Sequence, residues 1–294
     1  MNSNSKKAFT LIELLVVIAI IALLLSILMP ALSMVKKQAE TVMCRSNLKQ
    51  WGIVFTMYTV ENGDYFPQNY SGSGLSHFEA YWCHATMQYY EDKTLRFCPS
   101  VKRNEASVAA LPATAVRYGS TRTNWGPFAA ENTATPSNWW DEFPEGSYGM
   151  NEWCSSPVSG NWAFIEDDAP QWWRKISNVS RSATVPIFMD CKMTDVYPRA
   201  DKVTSPPPAE SDVFPVDNAL DYADVGATMN MITMDRHNKG INSAFVDGSA
   251  RKVDLKELWK LKWNPEYNTS NIWTKAGGVT KDQWPEWMQG FKEY

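Results

Sequence analysis

The sequence predicts an α+β chain, with one long N-terminal membrane-spanning helix packed onto an antiparallel β-sheet head that carries long loop insertions. Three observations predict it. Residues 14–25 contain no polar side chain, and the apolar stretch continues to Leu32 with Ser26 and Pro30 as interruptions, which approaches the ~20 residues of a bilayer span. Leu48, Trp51, Phe55 and Tyr58 then recur at helical spacing and give the continuation of that helix one apolar face. Asp247-Gly248, between residues 241–246 and 249–253, signals a hairpin with a two-residue turn that needs positive φ at both positions.

The helix opens with a charge problem. Lys6 and Lys7 precede the apolar run, which suits a cytoplasmic amino terminus and equally the start of a secretory signal. Glu13 is a lone carboxylate near the start of the apolar segment. Such a charge costs roughly 2.5–3.5 kcal/mol on insertion scales. The next basic residue downstream is Lys36, so a partner is expected from elsewhere.

Lys6-Lys7-Ala8 followed by Phe9-Thr10-Leu11-Ile12-Glu13-Leu14 resembles the class III signal of type IV prepilins and type II secretion pseudopilins. The resemblance implies a pilin-like fold and cleavage by prepilin peptidase between Ala8 and Phe9, with methylation of the new amine. Ala8 stands where the family normally has Gly. Counted from Phe9, Glu13 and Pro30 fall where pilins carry their Glu and a helix-loosening Pro, and both are implied in assembly. The freed amine of a neighbouring subunit is then the partner of Glu13, strengthened by low dielectric. The implied divisions are a leader at 1–8, a transmembrane and assembly segment at 9–32, an amphipathic continuation at 33–63 and a head at 64–294. The implied setting is the bacterial inner membrane, single-pass, with the amino terminus cytoplasmic and the head in the periplasm or on an extracellular filament. Other pilin or pseudopilin subunits are the implied partners, and the implied role is structural rather than enzymatic.

Composition agrees with this reading. The 294 residues carry a formal charge of −4, which loss of Lys6 and Lys7 makes more negative, so no nucleic-acid surface is expected. Five cysteines (Cys44, Cys83, Cys98, Cys154 and Cys191) would lie on the exported side, where disulfides are permitted. Cys44 with Cys98 is the preferred pair, and buried free thiols are the alternative.

From residue 9 the helix is expected to run to about residue 62, roughly 54 residues at ~1.5 Å each or about 80 Å, bent only at Pro30. Asn62-Gly63-Asp64 is its stop, since Gly tolerates the left-handed conformation. Residues 78–90 read as a short helix, 95–100 as a strand ended by Pro99, and 184–190 as a strand that Pro186 confines to an edge or to its first residues. Residues 204–218, with Pro206, Pro207 and Pro208, read as an extended surface loop. Cys44-Arg45-Ser46-Asn47-Leu48, Cys98-Pro99-Ser100 and His237, nine residues, Asp247-Gly248 together resemble a large bacterial family of prepilin-like proteins with an H-x9-DG processing-associated region.

The role of that motif is open at this level. His237 can donate to a buried acceptor, Asp190 or Asp247, and so lock the hairpin. It can instead join acidic oxygens around a metal, whereas no recognisable nucleophile motif stands beside it for a catalytic dyad. His77, Cys83, His84 and Cys98 fit no standard zinc spacing. Asp217, Asp221 and Asp224 supply oxygens for calcium without EF-hand spacing, so no cofactor is assigned. Most of the fourteen tryptophans should be core, including Trp259 and Trp263 after Leu255 and Leu258. Trp139, Trp140, Trp172 and Trp173 lie beside carboxamides and acids, as in a sugar-stacking site. The second functional reading is therefore a membrane-anchored surface module for carbohydrate or adhesion, displayed on a pilin-like stalk.

Overall fold

The computed structural model describes residues 10–68, 82–102, 119–126, 145–156, 169–211 and 227–294. Helix α1 spans Leu11–Glu61 and continues through Pro30. The bond that Pro30 lacks would have gone to the Ser26 carbonyl, one missing link in an otherwise complete ladder. Ser26 satisfies its own hydroxyl by donating to the Leu23 carbonyl at 2.7 Å, so it adds no unpaired polar group to the apolar stretch. The chain divides into two compact units, Met1–Glu40 and Thr41–Tyr294. In the first, every side chain from residue 11 to 39 is exposed, and the helix is long and apolar enough to cross a membrane.

In the second unit the helix turns one face inward, burying Cys44, Leu48, Trp51, Val54, Phe55 and Thr59. The predicted stop is where it falls: Gly63 (φ 62°) and Asp64 (φ 68°) are both left-handed, and the Asp64 N–H closes the end by donating to the Thr59 carbonyl at 2.8 Å.

The head is built on a five-stranded sheet. Its strands are β1 (Tyr148–Asn151), β2 (Pro186–Asp190), β3 (Asp195–Val196), β4 (Gly240–Phe245) and β5 (Ala250–Asp254), in the order β3-β1-β2-β4-β5. The ladders are antiparallel except at one edge, where β3 runs parallel to β1. The α+β architecture therefore stands as expected, and the all-antiparallel sheet is corrected at β3. Pro186 opens the central strand, the position at which a missing N–H costs least.

Phe188 and Asp190, two residues apart on β2, share the face that meets α1. Phe188 packs against Trp51 (centroids 5.4 Å), Phe55 (5.3 Å) and Trp82 (4.9 Å), and Trp51 donates its indole N–H to the Leu95 carbonyl at 3.0 Å. Elsewhere in the core, Leu255, Leu258 and Trp259 from the 3-10 segment Leu255–Lys260 are buried with Trp263.

Four local expectations are corrected. Residues 95–100 are not a strand: the Asp92 carboxylate accepts the Thr94 N–H at 2.8 Å and starts a 3-10 turn over Lys93–Arg96 instead. The described part of 78–90 is two short pieces, Trp82–Ala85 and Met87–Tyr89. Pro207 and Pro208 are buried rather than on the surface, and the Pro208 carbonyl accepts the Trp287 indole N–H at 3.0 Å. The β4–β5 connection is longer than two residues, with the Phe245 N–H donating to Ser249 at 2.8 Å and the Gly248 N–H to Phe245 at 2.9 Å. Gly248 alone is left-handed (φ 79°), as in a three-residue loop that ends on a bulge glycine.

Candidate functional site

Among the described residues, two places concentrate chemistry. At the start of α1, Thr10 donates both its N–H (2.8 Å) and its hydroxyl (2.7 Å) to Oε2 of Glu13, and its hydroxyl oxygen accepts the Glu13 N–H at 3.3 Å. This reciprocal arrangement is a capping box. Sequence reasoning sought a charged partner for Glu13 and overlooked the polar one three residues before it; the Thr-x-x-Glu spacing is the signal that finds it. Pro30 lies inside the same helix, while Ala8 and Phe9 lie outside the described residues.

The second place is inside the head, where four elements converge. Cys44 comes from α1, Cys98 from the loop after the 3-10 turn, Asp190 from the end of β2, and Arg236 and His237 from the approach to β4. The approach is held in an unusual conformation: Asn238 (φ 50°) and Lys239 (φ 64°) are consecutive left-handed residues. Two bonds fix this turn, the Lys239 N–H to the Asp235 carboxylate (2.5 Å) and the His237 N–H to the Gly240 carbonyl (2.9 Å). The ring of His237 is thereby aimed at the helix-facing side of β2.

Asp190 is fully buried and fully engaged. Arg236 Nη1 lies 3.0 Å from Oδ1, His237 Nε2 lies 3.1 Å from Oδ2, and the Asn242 N–H donates to Oδ2 at 2.8 Å. The Cys44 thiol also donates to the carboxylate at 3.5 Å. Arg236 spends its other donors on the carbonyls of Ser120 (2.7 Å), Ser147 (2.8 Å) and Thr121 (3.2 Å). His237 Nε2 lies 3.3 Å from the Cys98 sulfur, and Nδ1 lies 3.1 Å from the Thr41 hydroxyl.

These contacts set the charges. Burial pushes the Asp190 carboxyl up, but the neighbouring His237 and Arg236 charges outweigh it and hold the group well below the usual carboxylate range. Burial pulls His237 down, and the Asp190 carboxylate overrides it, raising the imidazole to about 10. Burial and a hydrogen bond with Cys98 push the Cys44 thiol up. Cys98 also feels burial, yet its bonds with Cys44 and His237 bring it down to about 6. The arrangement differs from a Cys–His–acid catalytic triad, in which nucleophile and acid occupy opposite ring nitrogens. Here Cys98 and Asp190 share Nε2, and Cys98 is buried away from solvent.

The other candidates scatter. His237 meets Asp190, while Asp247 accepts from the Ser249 N–H at 2.9 Å in the hairpin turn. The Cys44 and Cys98 sulfurs are neighbours within 4.8 Å and stand as free thiols. Trp173 is buried and donates to the Trp263 carbonyl at 3.3 Å; Trp172 packs edge-on against Trp153 at 5.1 Å. The Trp173 ring is thereby closed off, whereas Trp172 is half-buried. Trp139, Trp140, Asp217, Asp221, Asp224 and His77 lie outside the described residues, as does the side chain of His84. The sequence named the pairs Cys44 with Cys98 and His237 with Asp190; it did not show Arg236, nor that the two pairs meet.

A family model described as the prokaryotic N-terminal methylation motif matches residues 3–29. The chain thus carries a type IV prepilin-like class III signal, joined to a pilin-like α+β fold. The match marks a pilin-type or pseudopilin-type substrate with one apolar N-terminal helix that fits a single-pass inner-membrane protein. It ends before the head and does not reach His237, Asp247 or Gly248. No curated protein and no solved structure matches the chain.

Proposed function

We propose that the chain is the precursor of a structural filament subunit, a pilin or pseudopilin of a type IV pilus or a type II secretion pseudopilus. Prepilin peptidase cuts between Ala8 and Phe9 and methylates the new amine. The apolar helix then holds the subunit in the inner membrane, amino terminus inward, with the head in the periplasm or on the extracellular filament. One coincidence carries this reading. The methylation motif runs into a helix whose side chains are exposed from residue 11 to 39 and whose only charge between residues 11 and 35 is Glu13.

The capping box adds a mechanism. Thr10 holds Oε2 of Glu13 at the helix start, so the carboxylate is positioned before a second subunit arrives. In a filament core of low dielectric, the amine of that neighbour pairs with the oriented acid, and any other register leaves the charge desolvated and unmet. Mass spectrometry of the protein from its native membrane tests the reading. A chain beginning at N-methylated Phe9 is expected; one beginning at Met1, or lacking the whole apolar segment, overturns it.

A further inference from the structure

One donor atom each from Cys44, Cys98, Asp190 and His237 lie within 4.8 Å of one another, and all four residues are buried. We propose that these side chains hold one zinc ion in a closed structural site inside the head.

Zinc–sulfur and zinc–nitrogen bonds of about 2.3 and 2.0 Å give a tetrahedron with edges of about 3.3–3.8 Å. The separations fall on or near that range: 3.3 Å from the Cys98 sulfur to His237 Nε2, 3.6 Å from the Cys44 sulfur to Asp190 Oδ2 and 3.1 Å from His237 Nε2 to the same oxygen. The widest pair, at up to 4.8 Å, needs to close by only about 1 Å. Two sulfurs, one imidazole and one carboxylate in tetrahedral array favour zinc among common divalent ions. Calcium and magnesium want six or more oxygens, and this set offers one carboxylate.

Charge balances as well. Two thiolates and a carboxylate are offset by the divalent ion and the Arg236 guanidinium, with His237 neutral, so the buried site carries no net charge.

Each ligand is also held from behind, as metal ligands require. Thr41 faces Nδ1 of His237, leaving Nε2 for the ion. Arg236 grips Oδ1 of Asp190, which turns Oδ2 toward His237. Ser147 accepts the Cys98 N–H. The buried Tyr148 hydroxyl faces the Cys44 sulfur. A thiolate at Cys44 would give that hydroxyl an acceptor. With four protein ligands and no solvent access the site would tie together α1, the Cys98 loop, β2 and the approach to β4, rather than activate water.

The test uses the full chain, purified reduced in mild detergent. One zinc per chain by elemental analysis is expected. Cobalt(II) replacement should give tetrahedral visible bands with a thiolate charge-transfer band, and chelation should lower the melting temperature. C98S and H237Q should lose the ion, while C83S, which removes a buried thiol outside the cluster, should keep it. Where ligand variants fail to fold, the cobalt spectrum of the wild-type chain decides by the presence of the thiolate band. A folded, reduced chain that takes up no zinc or cobalt overturns the proposal. So does cobalt bound without that band, metal retained by folded C98S, or equal loss from folded C83S. An intact mass lighter by two hydrogens, with Cys44 and Cys98 joined, overturns it as well.

Discussion

Glu13 and Asp190 are both acids in apolar parts of the chain, and their surroundings answer them differently. Asp190 is met inside its own head by Arg236, His237, Cys44 and the Asn242 amide. Among the described residues Glu13 is met by Thr10, a neutral residue on the same turn, in a stretch of helix whose apolar side chains are exposed from residue 11 to 39. Burial with full compensation makes an acid part of the fold. An acid given hydrogen bonds but no counter-charge stabilises its own helix end and leaves its electrostatic demand for another molecule.

The largest contrast should come from substitution at the two acids themselves. E13L is expected to insert in the membrane normally and to abolish filament assembly, read by fractionation and by filament recovery; normal assembly would remove the role given to Glu13. D190N is expected to do the reverse, destabilising the head by about 3–5 kcal/mol because Arg236 and His237 lose their buried counter-charge. Urea denaturation of the full chain in detergent measures it, and a loss under about 1 kcal/mol would show that Asp190 is not the keystone of the cluster.

Smaller effects sharpen the comparison within the head. G248A should cost about 1–2 kcal/mol, since its Cβ meets only the Lys49 amine at 3.9 Å but the backbone sits at φ 79°. Y294F should cost about 1 kcal/mol or less, removing the hydrogen bond that Tyr294 donates to the Asp254 carboxylate. Burial pushes Asp254 up, but Tyr294 and Lys252 outweigh it and hold the carboxyl below its ordinary value. A depressed folded value stabilises above the unfolded pKa, so the wild-type advantage over Y294F should be full at neutral pH and fade as pH falls below about 4. An advantage that grew on acidification would contradict that pairing.

The parts of this molecule that repeat were legible in its sequence. The apolar run and the Leu48, Trp51, Phe55 face announce α1, and Asn62-Gly63 announces its end, because period and turn chemistry are local. Local chemistry was also where the reading slipped. A single side chain, Asp92, converts an expected strand into a 3-10 turn, and the left-handed residue of the hairpin is Gly248 without Asp247. Within the cluster, Cys44 with Cys98 and His237 with Asp190 were open to the sequence as separate pairs, but their meeting was not, because positions 44, 98, 190 and 237 have no spacing pattern to connect them. The nine-residue motif points to His237 alone among them, and only the paired left-handed turn at Asn238 and Lys239 shows how that ring reaches the helix.

That reach has a temporal meaning. Thr41 and His237 touch across 196 positions of sequence, so a ribosome must deliver most of the polypeptide before the pair can form. Until then the early cysteine waits uncovered, exposed to oxidants and adventitious ions. Contacts so distant along the chain are paid for in loop entropy and form late, which makes the maturation of this head a race between translation and chemistry at its first thiol.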